Sequence, residues 1–178
     1  MVCNAAGGLL PSLALELKSV FNNSTILPSY GMTECMPIST PPLSYTLDRP
    51  GTSGIACGPE ISIRDDSMAE LPSFETGNIC VRGPPLMPGY ENNPKANKES
   101  FTSDGWFNTG DKGYLDKDGY IYLTGRSKEV INRGGEIISP FDVEEALISH
   151  SSIHDVIAFS ASDLVLQEVV GAAIVVKK

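Results

Sequence analysis

Four residues near position 30 combine side chains suited to binding a nucleotide. Tyr30 offers an aromatic face that can stack on a base, and Gly31 lets a ligand approach the backbone closely. Thr33 can donate a hydrogen bond to a phosphate oxygen, and Glu34 is a hard oxygen ligand of the kind Mg²⁺ prefers. Taken alone, this short loop is explained equally well as a turn capped by its Thr-Glu pair.

A second polar cluster, Asn-Thr-Gly-Asp, occupies positions 108–111, and Arg126 stands further along the chain. A carboxylate on a tight turn, such as that of Asp111, can accept hydrogen bonds from both hydroxyls of a ribose. Arg126 can reach the same ribose or a phosphate. The alternatives are an Asx turn for the cluster and a surface ion pair for the arginine, and the residues alone favour the Asx turn.

Small residues mark two further candidate positions. Gly134 and Gly135 separate two short apolar segments and predict a two-residue hairpin turn. Because this hairpin directly follows a polar junction, it could be swung against a neighbouring site, although an ordinary hairpin is the alternative. Ala5, Ala6 and Gly7 leave room for a flat ligand, but a loop leading into a helix is the stronger interpretation of these three residues by themselves.

Short strands between Gly- and Pro-rich turns must position most of these side chains. Apolar spacing predicts an amphipathic helix over 11–21, followed by a short strand over 25–27. Alternating segments predict strands over 60–65 and 77–83, and a hairpin over 114–125 that turns at Asp118-Gly119. Strands at this spacing favour a small distorted barrel or sheet.

A different pattern begins at Lys128. The hairpin at the Gly-Gly pair leads to a helix with Ser139 as its N-cap and Pro140 as its first residue. Two strands follow, over 156–160 and 169–176, which completes a compact α+β unit. We therefore divide the chain into 1–127 and 128–178, and expect the second part to be incomplete because nothing follows to cover its last strand.

Composition limits the classes of partner and site. The net charge of −9 argues against nucleic acid and against an anionic membrane surface. No apolar run approaches the ~18 residues of a membrane span, and no signal peptide is visible. The four cysteines form no CxxC pair, which argues against a zinc site and favours free thiols. We predict a cytoplasmic protein, with the peroxisome as the alternative for a larger parent.

In their order and spacing, these segments resemble the adenylate-forming superfamily of acyl-CoA synthetases, peptide-synthetase adenylation domains and luciferases. The matching segments are AAGGLL, SYGMTE, GNICVRGPPLMPGY, WFNTGD and GRSKEVINRGGEIISPFDVEEAL. The implied fold is α+β. Residues 1–127 would be the end of a large AMP-binding domain, with a helix, a strand and a distorted β-barrel, and residues 128–178 the start of a small C-terminal domain.

The resemblance implies a two-step reaction that uses ATP and Mg²⁺. A carboxylic acid substrate attacks the α-phosphate of ATP to give acyl-AMP and pyrophosphate. The acyl group then passes to the thiol of coenzyme A or to the phosphopantetheine of a carrier protein. Positioning and neutralisation of phosphate charge are the protein's contribution.

The roles of individual residues follow by position from the same resemblance. On the nucleotide side, Tyr30, next to Gly31, would stack on adenine, Thr33 would contact phosphate and Glu34 would hold Mg²⁺. Asp111 would bind the ribose hydroxyls.

The remaining roles concern the pocket wall and the moving part. Ala5, Ala6 and Gly7 would flank the adenine and acyl site, and Arg126 would support the ribose contact. Lys128 would be the hinge between the two domains. The turn at Gly134 and Gly135 would line the thiol channel after the small domain rotates.

Several features of the family pattern are missing. No phosphate loop of the TSGTTGxPKG kind occurs, and the family's catalytic lysine would lie beyond Lys178. Asn78 stands where Glu is usual, and Gln167 stands where Gly is common. We therefore expect the isolated chain to be inactive in adenylation. The alternative is a truncated, non-catalytic module that binds a nucleotide weakly or binds a partner.

The acceptor of the acyl group is predicted from one segment, INRGGEIISP. This segment is most similar to stand-alone acyl- and dicarboxylate-CoA synthetases, including oxalate-type ones. Peptide-synthetase domains more often carry a charged KIRG-type loop here, so coenzyme A is favoured over a carrier protein. Met32, Cys35, Met36 and Ile38 can touch the acyl group, but four side chains do not define a pocket.

Overall fold

The computed structural model describes residues 1–5, 9–126 and 130–177. Three predicted site residues, Ala6, Gly7 and Lys128, lie outside the described residues. The predicted domain boundary at 127/128 lies outside them too, so this division stays a prediction. No helix in the described part of the chain is long and apolar enough to cross a membrane.

The described residues form three helices and thirteen strands. The helices are α1 (Pro11–Val20), α2 (Pro94–Ser100) and α3 (Pro140–Ile148). The strands are β1 (Val2–Asn4), β2 (Ile26–Pro28), β3 (Tyr30–Met32), β4 (Cys35–Thr40), β5 (Thr52–Ala56), β6 (Glu60–Arg64), β7 (Gly77–Arg82), β8 (Phe107–Leu115), β9 (Tyr120–Arg126), β10 (Ile131–Arg133), β11 (Glu136–Ile138), β12 (Ile153–Asp163) and β13 (Gln167–Val176).

The largest sheet has seven antiparallel strands in the order β3-β4-β5-β9-β8-β7-β6. The predicted hairpin is its centre, where β8 and β9 pair and Gly119 turns with a φ of 80°. The predicted α+β class is confirmed. The expected barrel or sheet takes the form of an open sheet, because pairing within the described residues ends at β3 and β6.

The core of this sheet is a contiguous cluster of apolar side chains. It draws side chains from strands β3, β4, β6, β7, β8 and β9, and β7 is buried on both of its faces. Its buried members are Tyr30, Cys35, Ile38, Ile63, Ile79, Val81, Phe107 and Ile121. Tyr30 belongs both to this core and to the predicted site, so one side chain connects the site to the core.

A second sheet lies C-terminal to the first, in the order β11-β10-β13-β12. The strands predicted over 156–160 and 169–176 are present as the long β12–β13 hairpin. Gln167 has a φ of 66°, which explains why a glycine suits this position: L-residues other than Gly, Asn and Asp rarely adopt it.

Local signals account for the helices that flank the sheets. Ser139 caps α3 by accepting a hydrogen bond from the Asp142 N–H at 3.4 Å, as predicted. Helix α2 was not predicted, although Asn93 caps it in the same manner and Pro94 is its first residue. With only seven residues and no apolar periodicity, α2 gives a weak signal in sequence.

Candidate functional site

The predicted ribose ligand Asp111 is held between a tyrosine and an arginine. The Tyr30 hydroxyl donates to Oδ2 of Asp111 at 2.6 Å, and Nε of Arg126 lies 3.6 Å from Oδ1. Residues 111 and 126 are direct cross-strand partners in the β8–β9 pair. The structure therefore brings Tyr30, from the first motif, against Asp111 and Arg126, which were predicted to reach the same ribose.

Two short parallel strands place Ala5 beside the start of β3. Strands β1 and β2 run parallel, and the Ser29 N–H donates to the Asn4 carbonyl at 2.8 Å. Because the carboxyl ends of parallel strands meet at one edge, exposed Ala5 lies beside the segment that enters β3. Tyr30 to Met32 form this short strand, so the expected loop is a strand at its start and a turn only at Thr33 and Glu34.

The backbone at Asp111 adopts the alternative that was predicted for it. The Asn108 Oδ1 accepts a hydrogen bond from the Gly110 N–H at 3.0 Å, which is an Asx turn, and Gly110 has a φ of 80°. Thr109 donates to the Ile79 carbonyl at 2.9 Å and accepts from the Asp111 N–H at 3.2 Å. The turn therefore fixes the backbone that carries the Asp111 carboxylate.

The electrostatics of the pair keep Tyr30 protonated. Burial, and after it the charge of Asp111, raise the pKa of the Tyr30 phenol far above its usual range. The phenol therefore donates to the carboxylate across the whole physiological pH range. The Tyr30 ring is buried in the core, and its hydroxyl contacts Asp111. Stacking of this ring on adenine stays a prediction.

Gly31 is not required by the fold itself. Its φ is not in the left-handed region, and a Cβ built there would meet the Met36 side chain and the Cys35 carbonyl at 3.4–3.5 Å, which is ordinary van der Waals contact. Met36 and Cys35 therefore already lie in contact with this position, and close approach of a ligand to the Gly31 backbone stays a prediction.

Glu34, the predicted Mg²⁺ ligand, lies at the turn after β3 beside exposed Thr33. The Tyr90 hydroxyl donates to its Oε1 at 2.8 Å, and its carbonyl accepts from the Met87 N–H at 2.8 Å. The role of Tyr90 was missed at the sequence level. Its only signal was its place at the end of the matching segment GNICVRGPPLMPGY.

Glu34 offers a single carboxylate, which suits a magnesium ion whose other ligands are phosphates and waters. Within the described ranges, no group of three or more His, Cys, Asp or Glu side chains is arranged to hold a metal ion. Mg²⁺ is commonly bound through one or two carboxylates together with substrate phosphates and waters, rather than in an all-protein cage. A single, partly exposed carboxylate such as that of Glu34 is compatible with this mode of Mg²⁺ binding.

The predicted thiol-channel turn belongs to the second sheet. Gly134 and Gly135 have φ values of 60° and 100°, as a two-residue turn of the primed type requires. The Gly134 N–H donates to the Leu166 carbonyl at 2.8 Å, which ties this turn to the β12–β13 connection. Backbone geometry alone accounts for both glycines, and their role toward a thiol stays a prediction.

Comparison with known proteins identifies the family of the chain. The family model for AMP-binding enzymes matches residues 1–91. The chain is 42% identical over 176 residues to a probable CoA ligase, CCL9, of Humulus lupulus, covering 97% of this chain and 33% of that protein. It is 42% identical over 178 residues to the oxalate–CoA ligase of Saccharomyces cerevisiae, covering 99% of this chain and 32% of that protein.

A solved structure shows the same fold. The o-succinylbenzoate coenzyme A synthetase of Bacillus subtilis, in complex with ATP and magnesium ion, matches with a TM-score of 0.86 and 34% identity. The match covers 99% of this chain and 36% of that protein, so the chain spans about a third of the length of the relatives it matches. On the family match over residues 1–91, the chain belongs to the AMP-binding enzyme family.

Proposed function

We propose that the complete protein containing this chain is an ATP-dependent carboxylate–CoA ligase that forms an acyl-adenylate intermediate. The observation that carries the proposal is the Asp111 carboxylate on strand β8 of the large sheet, held by Tyr30 and Arg126. The family membership and the CoA-ligase names of the relatives support it.

Asp111 is the nucleotide anchor in this proposal. Its carboxylate accepts hydrogen bonds from the two ribose hydroxyls, while the Tyr30 phenol and the Asx turn hold it in place. The Arg126 side chain is 72% exposed and lies on the solvent side of Asp111, where it supports the carboxylate and can reach a phosphate.

The phosphate end of ATP lies toward the turn after β3. Exposed Thr33 donates to a phosphate oxygen, and Glu34 binds Mg²⁺ through its carboxylate. When bound, Mg²⁺ neutralises phosphate charge. A carboxylate oxygen of the substrate then attacks the α-phosphorus, a P–O bond forms, and the bond to pyrophosphate breaks.

The second step transfers the acyl group to a thiol. The thiol sulfur attacks the acyl carbonyl, AMP leaves with the electron pair of the broken C–O bond, and the thiol proton passes to solvent. We propose that residues 128–178 rotate about Lys128 for this step and bring Gly134 and Gly135 to the thiol channel. Residues 1–127 remain with the nucleotide.

Coenzyme A is the acceptor we favour, because the relatives are named CoA ligases. A phosphopantetheine on a carrier protein is the alternative. For the carboxylic acid, a small dicarboxylate such as oxalate is the first candidate, on the 42% identity to the oxalate–CoA ligase. The 178 residues alone are proposed to be inactive, since they match only about a third of those enzymes.

The test is product analysis with the complete protein. It is incubated with ATP, Mg²⁺, coenzyme A and a panel of carboxylic acids that begins with oxalate. The proposal predicts an acyl-CoA product and one AMP released for each thioester formed. Release of ADP instead of AMP, or nucleotide binding without turnover of any carboxylate, would favour a different ligase chemistry or a binding module.

A further inference from the structure

The structure fixes Glu34 at two points and leaves one of its oxygens open. The main-chain carbonyl accepts from Met87, and Oε1 accepts from the Tyr90 hydroxyl at 2.8 Å. Among the residues that the structure describes, Oε2 has no hydrogen bond or ion pair. The carboxylate therefore has one oxygen held by Tyr90 and one that accepts no hydrogen bond from the described residues.

Tyr90 is in turn held by helix α2. The Asn97 Oδ1 accepts from the Tyr90 N–H at 2.7 Å, and the Asn97 Nδ2 donates to the Tyr90 carbonyl at 2.9 Å. The Tyr90 ring lies 6.5 Å from the Phe107 ring, between centroids, at the edge of the hydrophobic core. Asn97 thus fixes the Tyr90 backbone, and the Tyr90 ring packs against the core. Both contacts hold the hydroxyl in place against Glu34.

We propose that Tyr90 is a positioning residue for Glu34: its hydroxyl, supported through Asn97, occupies Oε1 and presents Oε2 to the divalent cation that accompanies ATP. The inference rests on the proposed function, namely on Glu34 as a cation ligand. Hydrogen bonds to a ligating carboxylate orient it and commonly control metal affinity. With Oε1 occupied, Glu34 binds through one oxygen and keeps a single side-chain orientation.

The chemistry of the pair matches this role. A neutral phenol donates a hydrogen bond to a carboxylate and adds no charge. It therefore orients Glu34 without neutralising it. A lysine or arginine at the same place would compete with the cation for that negative charge.

The test uses Tyr90→Phe in the complete protein. This change removes the hydroxyl but keeps the ring near Phe107 and the main-chain clamp by Asn97. Mn²⁺ binding in the presence of ATP is titrated by electron paramagnetic resonance of the free ion. We expect the Mn²⁺ dissociation constant to rise about tenfold. The matched control is Tyr45→Phe, which loses a hydroxyl that donates to the Arg49 carbonyl at 2.7 Å and should leave Mn²⁺ affinity unchanged.

A second pair of variants separates this inference from the proposed function. Glu34→Gln should weaken Mn²⁺ binding strongly, and adding Tyr90→Phe to it should cause no further loss, since the two residues act through one contact. If Glu34→Gln leaves Mn²⁺ affinity unchanged, the cation role of Glu34 is wrong. If Glu34→Gln weakens binding but Tyr90→Phe does not, the positioning role is overturned and the proposed function stands.

The Mg²⁺ dependence of turnover gives an independent readout. In Tyr90→Phe, the Mg²⁺ concentration for half-maximal pyrophosphate exchange should rise, while the rate at saturating Mg²⁺ stays close to that of the unmodified protein. A fall in the saturated rate with an unchanged Mg²⁺ requirement would contradict the inference, because it would place Tyr90 in the chemical step or in general folding.

Discussion

The phenol oxygen of Tyr30 lies 2.6 Å from Oδ2 of Asp111 and joins β3 to β8 across 81 positions of the chain. One partner belongs to the hydrophobic core and the other is the proposed ribose ligand. The contact therefore joins the packing of the large sheet to the geometry of the proposed nucleotide site.

Removing the Tyr30 hydroxyl should weaken nucleotide binding more than it destabilises the fold. Tyr30→Phe keeps the buried ring but frees the Asp111 carboxylate to turn away from the ribose. We expect the dissociation constant for AMP to rise about tenfold, the usual effect of losing a hydrogen bond to a charged group. Isothermal titration calorimetry on the complete protein measures it, with Tyr45→Phe as the control. Equal affinities in the two variants would contradict this role.

Two threonines on adjacent strands should respond in opposite ways to the same substitution. The Thr124 Oγ1 is buried without a hydrogen-bond partner in the described part of the chain, whereas Thr109 donates to Ile79 and accepts from Asp111. Thr124→Val should raise the free energy of unfolding by about 1 kcal/mol, and Thr109→Val should lower it by about 1–2 kcal/mol. Urea unfolding measures both values. A loss of stability in Thr124→Val would mean that its hydroxyl has a partner in solution.

Arg49 should stabilise the β8–β9 hairpin. It forms ion pairs with Asp116 and Asp118, and its guanidinium lies 4.2 Å from the centre of the Tyr120 ring. Arg49→Ala leaves the Asp116 carboxylate, whose side chain is only 7% exposed, without its cation. We expect the melting temperature to fall by about 5 °C. Lys95→Ala, which removes an exposed pair with Glu99, should change it little.

Alkaline pH should destabilise the protein partly through Cys80. Burial raises the pKa of this thiol to about 11, whereas an unfolded chain titrates near about 8.5. Because the folded pKa is raised, the contribution is complete below about pH 8.5 and is lost as pH rises toward about 11. Urea unfolding under reducing conditions at several pH values should show a shallower alkaline loss in Cys80→Ala than in the exposed-site control Cys3→Ala. Identical slopes would refute the assignment.

Local chemistry explains what the sequence predicted well. The Gly134-Gly135 turn, the Asp118-Gly119 turn and the Ser139 cap each depend on residues a few positions apart. The strands β3, β4 and β5 were harder to predict, because their pairing partners are distant or irregular; β5, for example, pairs with β9.

The candidate site was predictable only in part, for the same reason. The resemblance supplied Asp111 and Glu34, but the Tyr90–Glu34 contact spans 56 positions and depends on a short helix without periodicity. Stacking of Tyr30 on adenine stays a prediction, and the contact of its hydroxyl with Asp111 was not predicted. Contacts between side chains of distant strands follow from the folded sheet and not from the spacing of residues in sequence.

In the proposed mechanism, Asp111 anchors ATP for carboxylate adenylation. ATP–pyrophosphate exchange in the complete protein, with and without the carboxylate found by product analysis, measures this role. Exchange should require both the carboxylate and Mg²⁺, and should fall by at least about a hundredfold in Asp111→Ala, as expected for loss of a charged, substrate-orienting group. Exchange that is unchanged in Asp111→Ala, or that is absent with every carboxylate tested, would contradict the claim.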